Sequence, residues 1–321
     1  MPSSAFGPLI DHPGTLDVVQ TRPVQWAPAE PTDPDPDLPQ RIQQLRAHLA
    51  HKRALVLTGA GMSTDSGIPD YRSPGSPART PMTIEMFLSS DQFRRHYWAR
   101  NHIGWRHMDA ALPNAGHRAL ADLERAGRIN GIITQNVDML HLKAGNRSVL
   151  DLHGSYGRVR CLSCAHVMSR HRLADLLEPH NEGFVTRIRG RGAIEVAPDA
   201  DVVVSDTTDF VMVDCPVCGG ILKPDIVYFG ESVPKTVVEQ GFTMVDDADA
   251  LLVLGSSLTV MSGLRFVRRA WRSGTPVYIV NRGHTRGDEM ATLKIDGSCS
   301  LVLELLSRDD NEFYSATRSS A

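Results

Sequence analysis

Ala54-Leu55-Val56-Leu57-Thr58-Gly59-Ala60-Gly61-Met62-Ser63-Thr64-Asp65-Ser66-Gly67 is the stretch whose reading decides the fold. Its first five residues are apolar or small without alternation, as in a strand buried on both faces. The glycines that follow let the backbone come close to a pyrophosphate, with amide N–H groups and a following helix N-terminus facing it. The spacing is not a strict G-x-G-x-x-G, so a tight strand-to-helix turn is the plain alternative. A Walker-type phosphate loop is disfavoured, because no Gly-Lys-Ser/Thr follows.

Outward from this stretch, three more runs share its pattern: Ile132-Ile133-Thr134, Ala250-Leu251-Leu252-Val253-Leu254 and Val277-Tyr278-Ile279-Val280. They end at Gln135, Gly255 and Asn281, and each follows a segment with helical character. Ahead of the first strand, Ile42, Leu45 and Leu49 have helical spacing. Continuous strands separated by helices predict an α/β fold, a Rossmann-like parallel sheet covered on both faces. Ligands of such sheets bind beyond the carboxyl ends of the strands. Residues 74–109, rich in Arg, Met and aromatics, and 156–221, with little periodicity, break the rhythm. They read as insertions forming a smaller helical and zinc-binding domain. The expected division is a Pro/Asp-rich extended or disordered arm over 1–40 and a Rossmann-like domain from 41–73, 110–155 and 222–307. The small domain takes 74–109 with 156–221, and 308–321 is a flexible tail.

The formal net charge of -3 over 321 residues gives no electrostatic reason to expect nucleic acid or an anionic membrane as partner. No apolar run approaches bilayer length. The N-terminus lacks a signal-peptide pattern, and Asp11 and Asp17 suit a mitochondrial presequence poorly, so the cytoplasm is the expected location. Of five cysteines, Cys161, Cys164, Cys215 and Cys218 form two C-x-x-C pairs and Cys299 stands apart. An odd thiol in a chain without an export signal argues against a disulfide framework. Two such pairs can supply a tetrathiolate, and a site closed by four protein ligands is structural. The gap of about 50 residues between the pairs exceeds zinc-ribbon spacing, and a redox pair is the alternative.

The third motif is Thr134-Gln135-Asn136-Val137-Asp138 at a strand end, followed by His141 and by Leu152-His153-Gly154. Asn136 and Asp138 there can hold a ribose or an amide. His153 can act as a general base near neutral pH.

Taken together, in order, these motifs resemble the sirtuins, NAD-dependent protein lysine deacylases, from about residue 41 to about residue 306. The motifs are Gly59–Ser63, Gly67-Ile68-Pro69-Asp70-Tyr71-Arg72, Thr134–Asp138, His153-Gly154 and the two cysteine pairs. Lys223-Pro224-Asp225-Ile226-Val227-Tyr228-Phe229-Gly230-Glu231, Gly255-Ser256-Ser257-Leu258 and Asn281 complete the set. Gly-Ser-Ser stands where many members have Gly-Thr-Ser. Gly67–Ser73, Tyr97-Trp98-Ala99-Arg100-Asn101 and the long spacer between cysteine pairs are similar to class II, the sirtuin-4-like group, here in a bacterial form.

The resemblance implies NAD as co-substrate and one structural zinc. It places Gly59, Ala60 and Gly61 on the pyrophosphate through their N–H groups. Ser256, Ser257, Asn281 and Cys299 would hold the adenosine half, and Gln135, Asn136, Ile68 and Asp70 the nicotinamide and its ribose. Ser63, Tyr71, Arg72, Val137, Asp138, Gly255, Arg282 and Gly283 complete the implied cofactor site. His153, with Asn136 and Asp138, is the implied catalytic group. Acyl oxygen attack on the ribose displaces nicotinamide, His153 deprotonates a ribose hydroxyl, and water releases free lysine and an O-acyl-ADP-ribose. The implied partners are acylated-lysine proteins, bound in a cleft between domains by strand addition around Val227–Glu231, including Phe229, Gly230 and Glu231. Tyr97 and Arg100 share a helix face and match the Tyr-x-x-Arg with which another sirtuin class recognises succinyl-type acids. They suggest a preference for longer or carboxylated acyl groups. Mono-ADP-ribosyl transfer from the same NAD site is the alternative, and an NAD-sensing zinc-ribbon binding module the less favoured one.

Overall fold

The computed structural model describes residues 37–70, 82–189 and 207–307. Most of the Pro/Asp-rich arm, Tyr71, Arg72 and the tail from 308 lie outside the described residues. The chain divides into two compact units. The larger takes 37–70, 112–155 and 231–307 of the described residues, and the smaller 82–111, 156–189 and 207–230.

In the larger unit, helix α1 (Leu38–Leu49) starts with Pro39 in its first turn, where the missing N–H costs nothing. Six parallel strands follow in chain order: β1 (Ala54–Thr58), β2 (Ile129–Thr134), β3 (Val149–Asp151), β7 (Ala250–Leu254), β8 (Val277–Val280) and β9 (Leu293–Ile295). Their spatial order is β3-β2-β1-β7-β8-β9. Neighbours β1 and β7 therefore lead away in opposite directions, the switch point at which such sheets bind ligands.

The helices lie on both faces, and each central strand alternates between two cores. Val56, Leu252, Leu254 and Val280 pack with Ile42, Leu45, Leu120, Val302 and Leu303. These come from α1, α4 (Ala115–Arg125) and α10 (Cys299–Ser307). Leu55, Leu57, Val253 and Ile279 pack with Val245, Leu264, Phe266 and Val267 of α8 (Lys235–Asp246) and α9 (Met261–Arg272). Short helix α5 (Leu140–Ala144) leads into β3.

The smaller unit holds α2 (Ile84–Ser89), α3 (Asp91–Ala110), most of β4 (Gly154–Cys161), β5 (Val167–Ser169), α6 (Arg170–Leu177), α7 (Phe184–Arg189) and β6 (Leu222–Ile226). Its sheet runs β5-β4-β6. The domain boundary expected at residue 222 is corrected: β6 joins this small sheet, and the unit continues to Gly230. Pro224 lacks an N–H, and β6 is the edge strand where that is tolerated.

Aromatic residues fill this unit. Tyr97 meets Phe87, Trp98 and Tyr228 at ring separations of 5.5–5.6 Å. The Arg170 guanidinium lies 4.7 Å from the Trp105 ring and 5.6 Å from Trp98, and its Nε donates to Asn101 Oδ1. Burial pushes the Arg170 pKa down to about 9. Cation–π stacking offsets part of the cost of a charge in this core.

At the switch point the backbones after β1 and β7 touch. Gly59 N–H donates to Leu254 O at 3.0 Å and Gly61 N–H to Gly255 O at 2.9 Å. A Cβ on Gly59 would lie 2.7 Å from Gly255 O, and one on Gly255, at φ +61°, 2.4 Å from Met62 N. Gly255→Ala is expected to cost about 3 kcal/mol or more in a denaturant titration. Gly274→Ala, at φ +75° but in open space, should cost about 1 kcal/mol.

Candidate active site and metal centre

The polar residues of the larger unit gather beyond the carboxyl ends of β1, β2 and β7. The loop after β1 turns through two short 3-10 segments, Ala60–Met62 and Thr64–Ser66, where the sequence predicts a helix N-terminus facing the ligand. The N–H groups of Gly59 and Gly61, expected on a pyrophosphate, are committed to the loop after β7. Of the three implied donors, only Ala60 has its N–H outside these bonds. The contact of the two loops is a further reason for glycine at these positions. Ile68 is buried, with its N–H on Ser63 O, and Asp70 is half-buried.

Hydrogen-bond donors and acceptors fix the orientation of the cluster. Asp138 is buried and accepts from Ser63 Oγ at 2.6 Å and from Leu140 N–H at 2.9 Å. Burial raises the pKa of its carboxyl above the ordinary value, against the bond from Ser63. Because Ser63 gives its proton to Asp138, its oxygen must accept from Asn136 Nδ2, at 3.0 Å. The second Asn136 amide proton goes to Gly59 O at 2.9 Å. Both donors of Asn136 are thus spent, and its Oδ1 is the atom left to face a ligand. Val137 is half-buried beside them.

Gln135 Nε2 bridges Thr58 O at 3.1 Å and Ser256 Oγ at 2.9 Å, tying the ends of β1, β2 and β7 together. Gly263 lets α9 come close, since a Cβ there would lie 2.6 Å from Gln135 Oε1.

His153 follows β3. Its Nδ1 lies 2.9 Å from Gln135 O, and its Nε2 lies 2.8 Å from Ser262 Oγ. A carbonyl only accepts, so Nδ1 carries the proton and Nε2 is the bare nitrogen of the neutral ring. Burial lowers the His153 pKa below 6.5, against the raising effect of the Gln135 bond. At neutral pH the ring is an uncharged base with its lone pair on Nε2. His141 and His117, by contrast, are core residues with rings 4.8 Å apart. Burial pushes them down to about 4 and about 2.

The other implied cofactor residues follow β7 and β8 and open α10. Ser257 Oγ contacts Thr259 Oγ1 at 3.0 Å. Asn281 Nδ2 donates to the carbonyls of Arg282 and Gly283, which are exposed at the end of β8. The Cys299 thiol is buried against Val280 O, and burial pushes it up to about 12. That makes it an inert core group and leaves its backbone for any ligand contact.

In the smaller unit, Cys161 Sγ and Cys218 Sγ lie 3.6 Å apart and Cys164 Sγ and Cys215 Sγ 3.8 Å. All four sulfurs fall within 4.8 Å of one another. A zinc tetrathiolate with arms of about 2.3 Å has S···S edges of about 3.8 Å, so the set can hold a zinc ion. The two knuckles are built alike. Ala165 N–H returns to Cys161 O and Gly219 N–H to Cys215 O, with left-handed φ of 58° and 71°. A Cβ on Gly220 would lie 2.4 Å from Ser163 Oγ, so glycine there lets one knuckle close on the other.

The suggested substrate residues of this unit are less uniform. Tyr97 is a core residue whose hydroxyl meets Tyr156 Oη at 3.3 Å and Asn101 Nδ2 at 3.4 Å. Arg100 Nη1 donates to His96 Nε2 at 3.0 Å, and His96 Nδ1 donates in turn to Thr207 Oγ1. Phe229 and Gly230 are exposed and Val227 half-buried. Phe229 O already accepts from Ile84 N–H, with Thr83 and Phe229 bridged in parallel. In the larger unit, Glu231 is half-buried. Among the described residues no helix is long and apolar enough to cross a membrane.

A family model described as the Sir2 family matches residues 59–262. A Mycobacterium avium protein named NAD-dependent protein deacetylase 1 is 62% identical over 263 residues, 82% of this chain and 93% of the relative. A Streptomyces coelicolor protein of the same name is 51% identical over 82% of this chain and 88% of its own length. A solved structure described as Sir2-p53 peptide-NAD+ superposes with a TM-score of 0.62 at 30% identity, covering 82% of this chain and 95% of that one.

The purified protein is expected to carry one zinc per chain. Chelation or Cys161→Ala should destabilise the smaller unit by about 3 kcal/mol or more, read by near-ultraviolet circular dichroism of Trp98 and Trp105. An unchanged spectrum in metal-free protein contradicts this.

Proposed function

This chain belongs to the Sir2 family, and we propose that it is an NAD-dependent protein lysine deacylase of the class II, sirtuin-4-like group. The observation that carries the proposal is His153, a neutral base with its tautomer fixed by Gln135 O, set beyond the sheet where a nucleotide binds. The names of the relatives, deacetylases that depend on NAD, support the NAD-dependent deacylase part of this reading. NAD supplies an electrophilic ribose carbon and a leaving nicotinamide when bound.

The chain's own residues do the rest. The Gln135 bridge fixes the strand ends, and Asn136 Oδ1 is oriented to accept a ribose or carboxamide hydrogen. Asp138 acts through Ser63, holding Asn136 in register. His153 Nε2 takes a hydroxyl proton without first having to lose one, because burial keeps the ring neutral at physiological pH. A zinc held by Cys161, Cys164, Cys215 and Cys218 would be structural, since four protein ligands leave no position for a substrate.

Selectivity for carboxylated acyl groups would rest on the charge of Arg100, which shares a face of α3 with Tyr97. A guanidinium pairs with a terminal carboxylate where a neutral pocket does not.

Incubation with NAD and acyl-lysine peptides should yield nicotinamide, free lysine and O-acyl-ADP-ribose by mass spectrometry. A protein-bound ADP-ribose with intact acyl-lysine would favour ADP-ribosyl transfer instead. His153→Ala should lower kcat for deacylation at least about 100-fold. The kcat/KM profile should be flat through neutral pH and fall only below 6.5, as the buried ring becomes charged. In an acyl panel, Arg100→Met should reduce turnover of a glutaryl peptide more than that of an acetyl peptide. Fastest turnover of acetyl by the wild type would end the carboxylate preference.

A further inference from the structure

Ser262 lies in the first turn of α9, is 7% exposed, and has its Oγ 2.8 Å from His153 Nε2. Nδ1 is the protonated nitrogen, so Ser262 must be the donor: its hydroxyl proton caps the lone pair that the base uses. The Gln135 carbonyl on one nitrogen and the Ser262 hydroxyl on the other hold the imidazole at both ends. Gly263 leaves room beside this pair, since a Cβ there would meet the Gln135 carboxamide and force it to shift.

A hydroxyl can reverse its role by rotating about its C–O bond. When a substrate hydroxyl takes the place of the Ser262 proton on Nε2 and transfers its own, the substrate O–H bond breaks and an N–H bond forms. That N–H turns to the Ser262 oxygen once the substrate oxygen moves off to attack. Ser262 loses no proton, but its oxygen is now an acceptor beside a cationic ring. A hydrogen bond to a charged donor is about twice as strong as one between neutral groups, so Ser262 favours the imidazolium over the neutral ring.

We infer that Ser262 is a positioning residue for the base, holding the His153 ring by its lone pair at rest and accepting its N–H once the proton has been taken. This rests on the proposed role of His153. Two other groups bear on the ring: the Gln135 carbonyl, which favours the charged form, and Arg265 on α9, which opposes it. Burial also opposes it, so Ser262 offsets part of the desolvation that keeps the base weak.

The test compares wild type, Ser262→Ala and Ser262→Thr in steady-state deacylation, with the His153 ring titrated by NMR in the substrate-free protein. In Ser262→Ala, kcat should fall about tenfold, with KM for NAD and peptide within about twofold. The ring pKa should fall, and the acid limb of kcat/KM should move to lower pH with it. Ser262→Thr, which keeps the hydroxyl, should restore both. Wild-type kcat and an unchanged ring pKa in Ser262→Ala would overturn the inference, as would equal loss in the folded alanine and threonine variants. Wild-type activity in His153→Ala would remove the base reading itself, an outcome the Ser262 variants cannot produce.

Discussion

The contact on which the larger unit depends is the one between the backbones of Gly59-Ala60-Gly61 and Gly255 at the ends of β1 and β7. Two loops leave adjacent parallel strands there and pass close enough that a single methyl group on either would strike main chain. Their mutual hydrogen bonds consume the N–H groups of Gly59 and Gly61. Those amides brace the floor of the site.

From that floor a chain of directed hydrogen bonds runs outward. Asp138 takes the Ser63 proton, Ser63 takes one from Asn136, and Asn136 gives its other to Gly59. Gln135 closes the circuit across to Ser256 and presents its carbonyl to His153. Each donor is matched to an acceptor, so the Asn136 Oδ1 left to face a ligand and the His153 Nε2 lone pair, capped by Ser262, have their identities set by the network and not by local preference. Such preorganisation is what a site needs if charge is to develop without reorganising its surroundings.

Much of this was legible in the sequence, for physical reasons. β1, β7 and β8 are buried on both faces, and a run of apolar residues has no other use at that length. The four cysteines announced themselves by pair spacing. Edge strands β3 and β9, three residues each, were too short to leave a pattern. The smaller unit hid its elements because its core is aromatic and includes Arg170, a residue type that pattern reading assigns to the surface. β6 went to the wrong unit because partner choice for an edge strand is a long-range property. Ser262 gave no sign of its role, since its meaning appears only when α9 is set against His153. The one available signal was the Ser-Gly pair in the first turn of that helix, small residues where another chain segment must come close.

In the proposed function, acyl removal and NAD consumption are one reaction at this site. Nicotinamide formed and acyl-lysine lost should be counted in the same vessel with purified protein, with and without peptide. One nicotinamide is expected per acyl group, with neither change occurring without the other. Acyl loss without NAD, or sustained nicotinamide release without acyl loss, would contradict it.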